Sequence, residues 1–365
     1  MASVSVTKSQ QAVAALRRKI VAGQWPPGRQ LPTRPELERE LGISRMTLQR
    51  VMDQLLAEGF IRVNGRAGTF VADRPPHRSR FALLAPFSGT EHGSRFWDTM
   101  AAEARQLNVS DEAHSFSVFY DIWPDHRDAA QYEELVAQVR AHRFAGLIFA
   151  SAPQGLQETP LLNEPGIPRV AVTTARLDWP VVVFDRTAWM DRACAHVHAG
   201  GARRVAIFAE DPRAFDSLVN EASARWDLHI PTQWRLYLTH RLPAGVRHCA
   251  HLLMSLPRAE RPDALLIADD HLVEPVALGL ADAGVNVPTD VQVIAHANFP
   301  RPPASAVPVV QLGYDVRQVL RHCIDLIDLQ RQGETPTART AVGPLFEHEW
   351  RAAAEKDPPP VSTSV

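Results

Sequence analysis

Arg45, Thr47, Gln49 and Arg50 crowd one short stretch of the chain, Ser44 to Ala57, whose remaining positions repeat Leu48, Val51, Met52 and Leu55. That apolar spacing predicts a helix buried along one stripe, with Arg45 and Gln49 as i, i+4 neighbours on its open face. Arginine takes guanine bidentately, glutamine takes adenine, and hydroxyls near a helix start bond phosphate. The chemistry is that of a helix reading a DNA groove. A second group supports it: Arg66, Gly68 and Thr69 sit at a Gly-rich tip, Asn64-Gly65-Arg66-Ala67-Gly68, between two short apolar runs. An arginine there is placed to approach the neighbouring groove.

Three helices and a hairpin must position these side chains. Val13, Leu16 and Ile20 mark a first helix over about 8–22 that ends at Gly23. Trp25-Pro26-Pro27-Gly28 is a turn that no helix can continue, because proline lacks the donor and restricts the residue before it. Pro35 suits the first turn of a second helix, which carries Arg34 at its start and stops at Gly42. Ser44 is a good N-cap for the third helix. Phe60 to Val63 and Thr69 to Val71 then form two strands around the tip, completing a winged helix.

Charge agrees with that reading. Residues 1–80 hold fourteen Lys and Arg against six Asp and Glu, a net of +8, while the remainder carries twenty-five against thirty-five, a net of −10. A basic head on an acidic body is the footprint of a polyanion bound by the head alone. The only lysines are Lys8, Lys19 and Lys356, so no Schiff-base, P-loop or kinase lysine lies in the body. No HExxH occurs, and Pro86-Phe87-Ser88-Gly89 lacks the first glycine of a nucleophile elbow. Cys194, Cys249 and Cys323 are too scattered for a metal knuckle or a disulfide framework. No catalytic residue, metal site or cofactor is expected. Neither a spanning helix nor a signal peptide is indicated, so the expected location is cytoplasmic, with no membrane partner.

The head resembles the GntR family of bacterial transcription regulators over about residues 10–72. The residues that carry the likeness are Leu31-Pro32-Thr33, Glu36-Leu37, Leu41-Gly42-Ile43-Ser44-Arg45, Thr47-Leu48, Glu58-Gly59 and Gly68-Thr69-Phe70-Val71. Where many members have arginine, this chain has Pro35 and Gln49, with Arg34 and Arg50 adjacent. Candidate DNA contacts are Arg34, Ser44, Arg45, Thr47, Gln49, Arg50, Arg66, Gly68 and Thr69; a surface pairing with Asp53 or Gln54 competes for Arg50.

Asp73-Arg74-Pro75-Pro76-His77-Arg78-Ser79-Arg80 reads as a semi-rigid linker over 74–80. Beyond it, apolar runs at 81–86, 116–120, 145–150, 169–173, 181–184, 204–209, 264–268 and 291–296 alternate with amphipathic stretches. Continuous rather than alternating hydrophobicity marks strands covered on both faces, which makes the body α/β with parallel sheets. A polar, proline-bearing tail over 351–365 is expected to be disordered. The body, 81–350, resembles the LacI-type regulatory domain, similar in turn to periplasmic sugar-binding proteins. The likeness rests on Val183-Phe184-Asp185-Arg186, Gly200-Gly201-Ala202-Arg203-Arg204-Val205, Leu266-Ile267-Ala268-Asp269-Asp270 and Gly284 to Ile294.

The resemblance implies a two-lobed fold whose strand-end loops line a ligand cleft, where open α/β sheets also bind ligands on physical grounds. Candidate ligand residues are Phe87, Ser88, Asp121, Ser151, Asp185, Arg186, Glu210, Asp270, Asn298 and Phe299, with Arg186 and Asp270 foremost. Asp185 and Asp270 could instead be helix N-caps. An aspartate common in the family after the late strand is here replaced by His296-Ala297-Asn298. Taken together, the chain reads as a ligand-responsive transcription regulator, a repressor. Its partners would be a palindromic double-stranded operator, a carbohydrate-like effector and a second copy of itself through the LacI-like bodies. A metabolite-processing enzyme fused to a DNA-binding head is the alternative.

Overall fold

The computed structural model describes residues 7–86, 94–110, 113–122 and 129–356. The head contains α1 (Lys8–Val21), α2 (Arg34–Leu41), α3 (Arg45–Ala57) and the antiparallel pair β1 (Ile61–Val63) and β2 (Thr69–Val71). Local chemistry sets each boundary. Thr7 with Gln10 and Thr33 with Glu36 form capping boxes, and Pro35 lies in the first turn of α2. Gly42 ends α2 at φ +62°, a conformation that costs glycine nothing. Val13, Leu16, Ile20, Leu37, Leu48, Val51, Leu55 and Phe60 close one core beneath the wing. Each such side chain contributes about 1.5–3 kcal/mol on burial. Arg17 joins α1 to the end of α3 through Glu58 at 2.5 Å.

The rest of the chain begins with a single turn, α4 (Pro76–Ser79), and then β3 (Arg80–Leu84), α5 (Arg95–Ser110), β4 (Ser115–Phe119), α6 (Ala129–Arg140) and β5 (Gly146–Phe149). Next come α7 (Pro160–Asn163), β6 (Arg169–Val172), β7 (Val181–Phe184), α8 (Arg186–Ala199), β8 (Val205–Ala209) and α9 (Pro212–Arg225). They are followed by β9 (Arg235–Tyr237), α10 (Pro243–Met254), β10 (Ala264–Ile267), α11 (Val273–Asp282), β11 (Gln292–Phe299) and β12 (Val310–Asp315). The last elements are α12 (Val316–Arg331), β13 (Arg339–Val342), β14 (Leu345–Phe346) and α13 (Glu347–Lys356). Two corrections to the sequence reading follow. Residues 76–79 of the linker are helical and 80 already belongs to a strand; residues 351–356 of the tail extend α13, whose Glu349 is held by Arg192 at 2.6 Å.

Two compact units result. One comprises residues 1–86, 104–171 and 325–336, so it holds the head together with parallel strands in the order β4-β3-β5-β6. The other comprises 87–103, 172–324 and 337–365. Its sheet runs β14-β12-β11-β10-β8-β9, parallel except for the short β14, and the parallel pair β7 and β13 belongs to it too. In sequence order both sheets read second, first, third, fourth: a doubly wound pattern with its topological switch point between β3 and β5 in one unit and β8 and β10 in the other. Ala264 to Ile267 are wholly buried, as expected of strands covered on both faces. Gly313 is obligatory in β12, because a Cβ there would lie 1.8 Å from the Ala297 carbonyl oxygen of β11.

Candidate functional site

The candidate DNA contacts lie on α2, α3 and the β1–β2 wing. Ser44 caps α3, its Oγ accepting from the Thr47 amide and lying 3.0 Å from Thr47 Oγ1. Arg45, Arg50 and Arg66 are exposed, and none has a hydrogen-bond or ion-pair partner among the described residues. Gln49 differs: Arg34 donates to its Oε1 and its Nε2 donates to Asp53 at 2.7 Å. Asp53 is therefore engaged by Gln49 and not by Arg50. In the wing, Gly68 at φ +111° tightens the turn that lifts Arg66, and Gln30 Nε2 reaches the Ala67 carbonyl oxygen at 2.8 Å. Thr69 pairs with Val63 across the hairpin, and its carbonyl oxygen accepts from the Leu31 amide at 2.9 Å.

The ligand candidates divide between the units. Phe87 and Ser88 lie outside the described residues. Asp121, just beyond β4, has φ +55°, and Ser151 follows β5 beside a small apolar recess lined by Leu84, Ile122 and Phe149. These belong to the unit that carries the head.

In the second unit the chain brings its polar groups to the switch point. Glu210 leaves the end of β8 and accepts from both the backbone N–H and Nδ1 of His240, each at 2.6 Å. The His240 ring stacks on His271 with centroids 4.7 Å apart. Asp269, not Asp270, caps the turn after β10 by accepting from the His271 amide. Asp270 is left free of capping and is buried, with Oδ2 accepting from Asn298 Nδ2 at 2.7 Å and Oδ1 3.2 Å from His271 Nδ1. Asn298 is itself only 2% exposed, and its Oδ1 has no partner. An orphaned buried acceptor costs about 1–3 kcal/mol, and a ligand hydroxyl would remove that cost.

Electrostatics in this cluster are opposed. Burial disfavours the His271 imidazolium, but hydrogen bonds to Asp269 and Asp270 and their charges outweigh it and push the pKa up to about 10. The backbone N–H of Arg95 meanwhile points at His271 Nε2 from 3.1 Å, a contact that suits the neutral ring. Asp270 is held below its ordinary value: burial acts against this, and the hydrogen bond and charge of His271 with the hydrogen bond from Asn298 prevail. His296 is kept neutral by burial. Asp269, Asp270 and His271 offer three donor atoms within 4.8 Å of one another. The Arg95 N–H on Nε2 works against metal ligation through Nδ1, which would leave the proton on Nε2.

Asp185 is an N-cap, with Oδ1 accepting from the Ala188 amide at 2.9 Å. Arg186 is exposed, over the Phe215 ring at 5.8 Å, and makes no ion pair among the described residues. Phe184, half-buried, is the accessible aromatic ring nearby; the buried Tyr314 and Phe96 back it, the first with its centroid 4.5 Å away. Phe299 is corrected: β11 runs three residues past the inferred strand end at 296, which buries the ring fully against Trp350 at 4.9 Å. Asp269, His271 and His240 were missed, because the sequence carries no local signal that residues 240 and 271 converge.

Comparisons with known proteins sort along the same division. Residues 8–71 match the model of bacterial regulatory proteins of the gntR family, and residues 194–350 match that of the periplasmic binding protein-like domain. An arabinose metabolism transcriptional repressor of Geobacillus stearothermophilus is 22% identical over 335 residues, covering 86% of this chain and 90% of the relative. A LacI-family regulatory protein of Chloroflexus aggregans superposes with TM-score 0.58 at 20% identity, covering 73% of this chain and 96% of that one. A LacI-family regulator of Lactobacillus casei with bound glucose gives 0.53 at 18%, covering 74% and 98%.

Proposed function

From a chain that joins a gntR-family winged helix to a two-lobed periplasmic-binding-protein-like body, we infer a transcription regulator that represses and is released by a small carbohydrate-like effector. The observation that carries it is the set of solvent-facing, unpartnered cations Arg45, Arg50 and Arg66 on a head whose core is otherwise closed. In this reading α3 enters a major groove with Arg45 leading, and Arg66 reaches the adjacent minor groove. Two heads read a palindrome, since a second half-site one helical turn away doubles the contacts. Leu242 at the start of α10, Leu252 within it and Leu256 just beyond its end are exposed apolar residues that would suit self-association.

The effector site is assigned to the second unit's switch point. Asp270 and Asn298 take ligand hydroxyls, Arg186 takes a hydroxyl or carboxylate, and the half-buried Phe184 lies against a ring face. The arabinose repressor and the glucose-bound regulator among the relatives support a carbohydrate class. Control of DNA by ligand follows only as far as the ligand prefers one body conformation, typically about 1–3 kcal/mol. The body senses rather than converts its ligand.

The test is binding of the purified protein to duplex from its genomic neighbourhood against scrambled duplex, over a salt series, with and without a panel of pentoses, hexoses and sugar acids. Selective binding with a steep salt slope, weakened by one sugar that is recovered unchanged, supports the proposal. Equal affinity for both duplexes refutes readout, and recovery of a converted sugar refutes simple sensing.

A further inference from the structure

The unit that carries the head contains a cavity of about 630 Å³ that the regulatory reading leaves without a role. It lies where the end of α1 and the Pro26-Pro27 turn meet α4 and the loops around His142 and Ile167. Its charged lining is of one sign. Arg78, Arg331, His77 and His142 border it, and no carboxylate does. Asp328 holds Arg331 Nη1 at 2.8 Å, and Glu164 acts on His142. Nη1 of Arg331 also donates to the Arg78 carbonyl oxygen at 3.0 Å, which leaves Nε and Nη2 unused among the described residues. The Arg78 guanidinium has no partner among them. His77 stacks on Phe60, and its Nδ1 is buried with nothing to bond.

Arg78 and Arg331 carry the permanent charge in this lining, and an anion beside them takes charge-assisted hydrogen bonds from the Arg78 guanidinium and from the unused Nε and Nη2 of Arg331. Burial first, and then the Arg331 and Arg78 charges, press His77 down to about 3, so its ring stays neutral beside the two arginines. The last carbonyls of α1 are no obstacle, since the amides of Ala22, Gly23 and Trp25 already occupy those of Arg18, Ile20 and Lys19. Ile20, Phe144 and Ile167 give the same cavity an apolar wall, and its volume suits a molecule of sugar size. We propose that this cavity binds a phosphorylated small metabolite, making it a second ligand site, separate from the switch-point cluster and bordered directly by the DNA-binding head.

Calorimetric titration of the full chain with inorganic pyrophosphate and with orthophosphate, at ionic strength fixed by sodium chloride, tests this. One saturable site per chain is expected, weakened at least tenfold by Arg78→Gln and by Arg331→Gln and retained in Arg186→Ala. Arg78→Gln keeps the test valid if loss of the Asp328 pair unfolds the Arg331 variant. Absence of saturable heat, unchanged affinity in Arg78→Gln, or loss of binding in Arg186→Ala overturns the proposal, the last by placing the anion at the effector site. Loss of DNA affinity in Arg78→Gln without any pyrophosphate binding to the wild type also overturns it, and assigns the cavity to the DNA backbone.

Discussion

Replacing His271 by asparagine removes a titrating ring while keeping an N–H near the position of Nδ1, so the variant isolates one charge. In the folded protein Asp269 and Asp270 push that ring from about 6.5 up to about 10. A raised folded pKa means that the imidazolium contributes stability fully below the unfolded value, and that the contribution disappears as pH rises through the folded value. The stability difference between wild type and His271→Asn should therefore be largest near pH 6 and shrink toward pH 10. The limiting slope is about 1.4 kcal/mol per pH unit, so the whole shift corresponds to no more than roughly 4–5 kcal/mol. The Arg95 N–H facing Nε2 opposes the charged ring and lowers the expected change to about 2–3 kcal/mol. Urea unfolding followed by tryptophan fluorescence is a suitable assay, because Trp97, Trp179, Trp189, Trp226, Trp234 and Trp350 all lie in the unit that holds His271. A difference that stays flat between pH 6 and pH 10 would refute the reasoning, and would mean that the Arg95 contact holds the ring neutral.

Arg45→Ala should weaken specific operator binding by about 1–3 kcal/mol in fluorescence anisotropy while leaving effector binding intact. Unchanged operator affinity would remove Arg45 from base reading. Asn298→Ala should lower affinity for the effector sugar by about 1–2 kcal/mol in calorimetry, through loss of the waiting acceptor and of the Asp270 bond; equal affinity would place the ligand elsewhere. Gly313→Ala should destabilise the second unit by more than about 3 kcal/mol in urea unfolding, since the added carbon meets backbone that cannot rotate away. A loss below about 1 kcal/mol would show that β11 and β12 can separate.

Legibility in the sequence tracked how local each determinant was. All eight inferred strands are present, because a run such as Ala264 to Ile267 announces burial on both faces without help from distant residues. β9, β12, β13 and β14 were not foreseen. β12 is interrupted by Gly313, and β13 has three of its four residues at least partly exposed, so neither shows an apolar run. The head was nearly complete in the sequence, since caps, turns and wing are all local devices. The switch-point cluster was only half legible: Asp270 was found as a polar residue at a strand end, but that Asp269 would take the cap, freeing Asp270 for Asn298, is decided by backbone geometry after β10. Asp185 illustrates the converse, a strand-end carboxylate whose nearest amide claims it.

The pairing of Gln49 with Arg34 and Asp53 bears on how such a regulator changes its target over evolutionary time. One N–H and one lone pair of that amide remain unused, so in the proposed groove complex Gln49 would have to read a base from a pose fixed by two protein bonds. Arg45, with no partner among the described residues, would be free to adjust to the base it meets. On the proposed contacts, diversification of targets should then proceed through substitutions at position 45, or through changes at Asp53 or Arg34 that release Gln49 to take another pose.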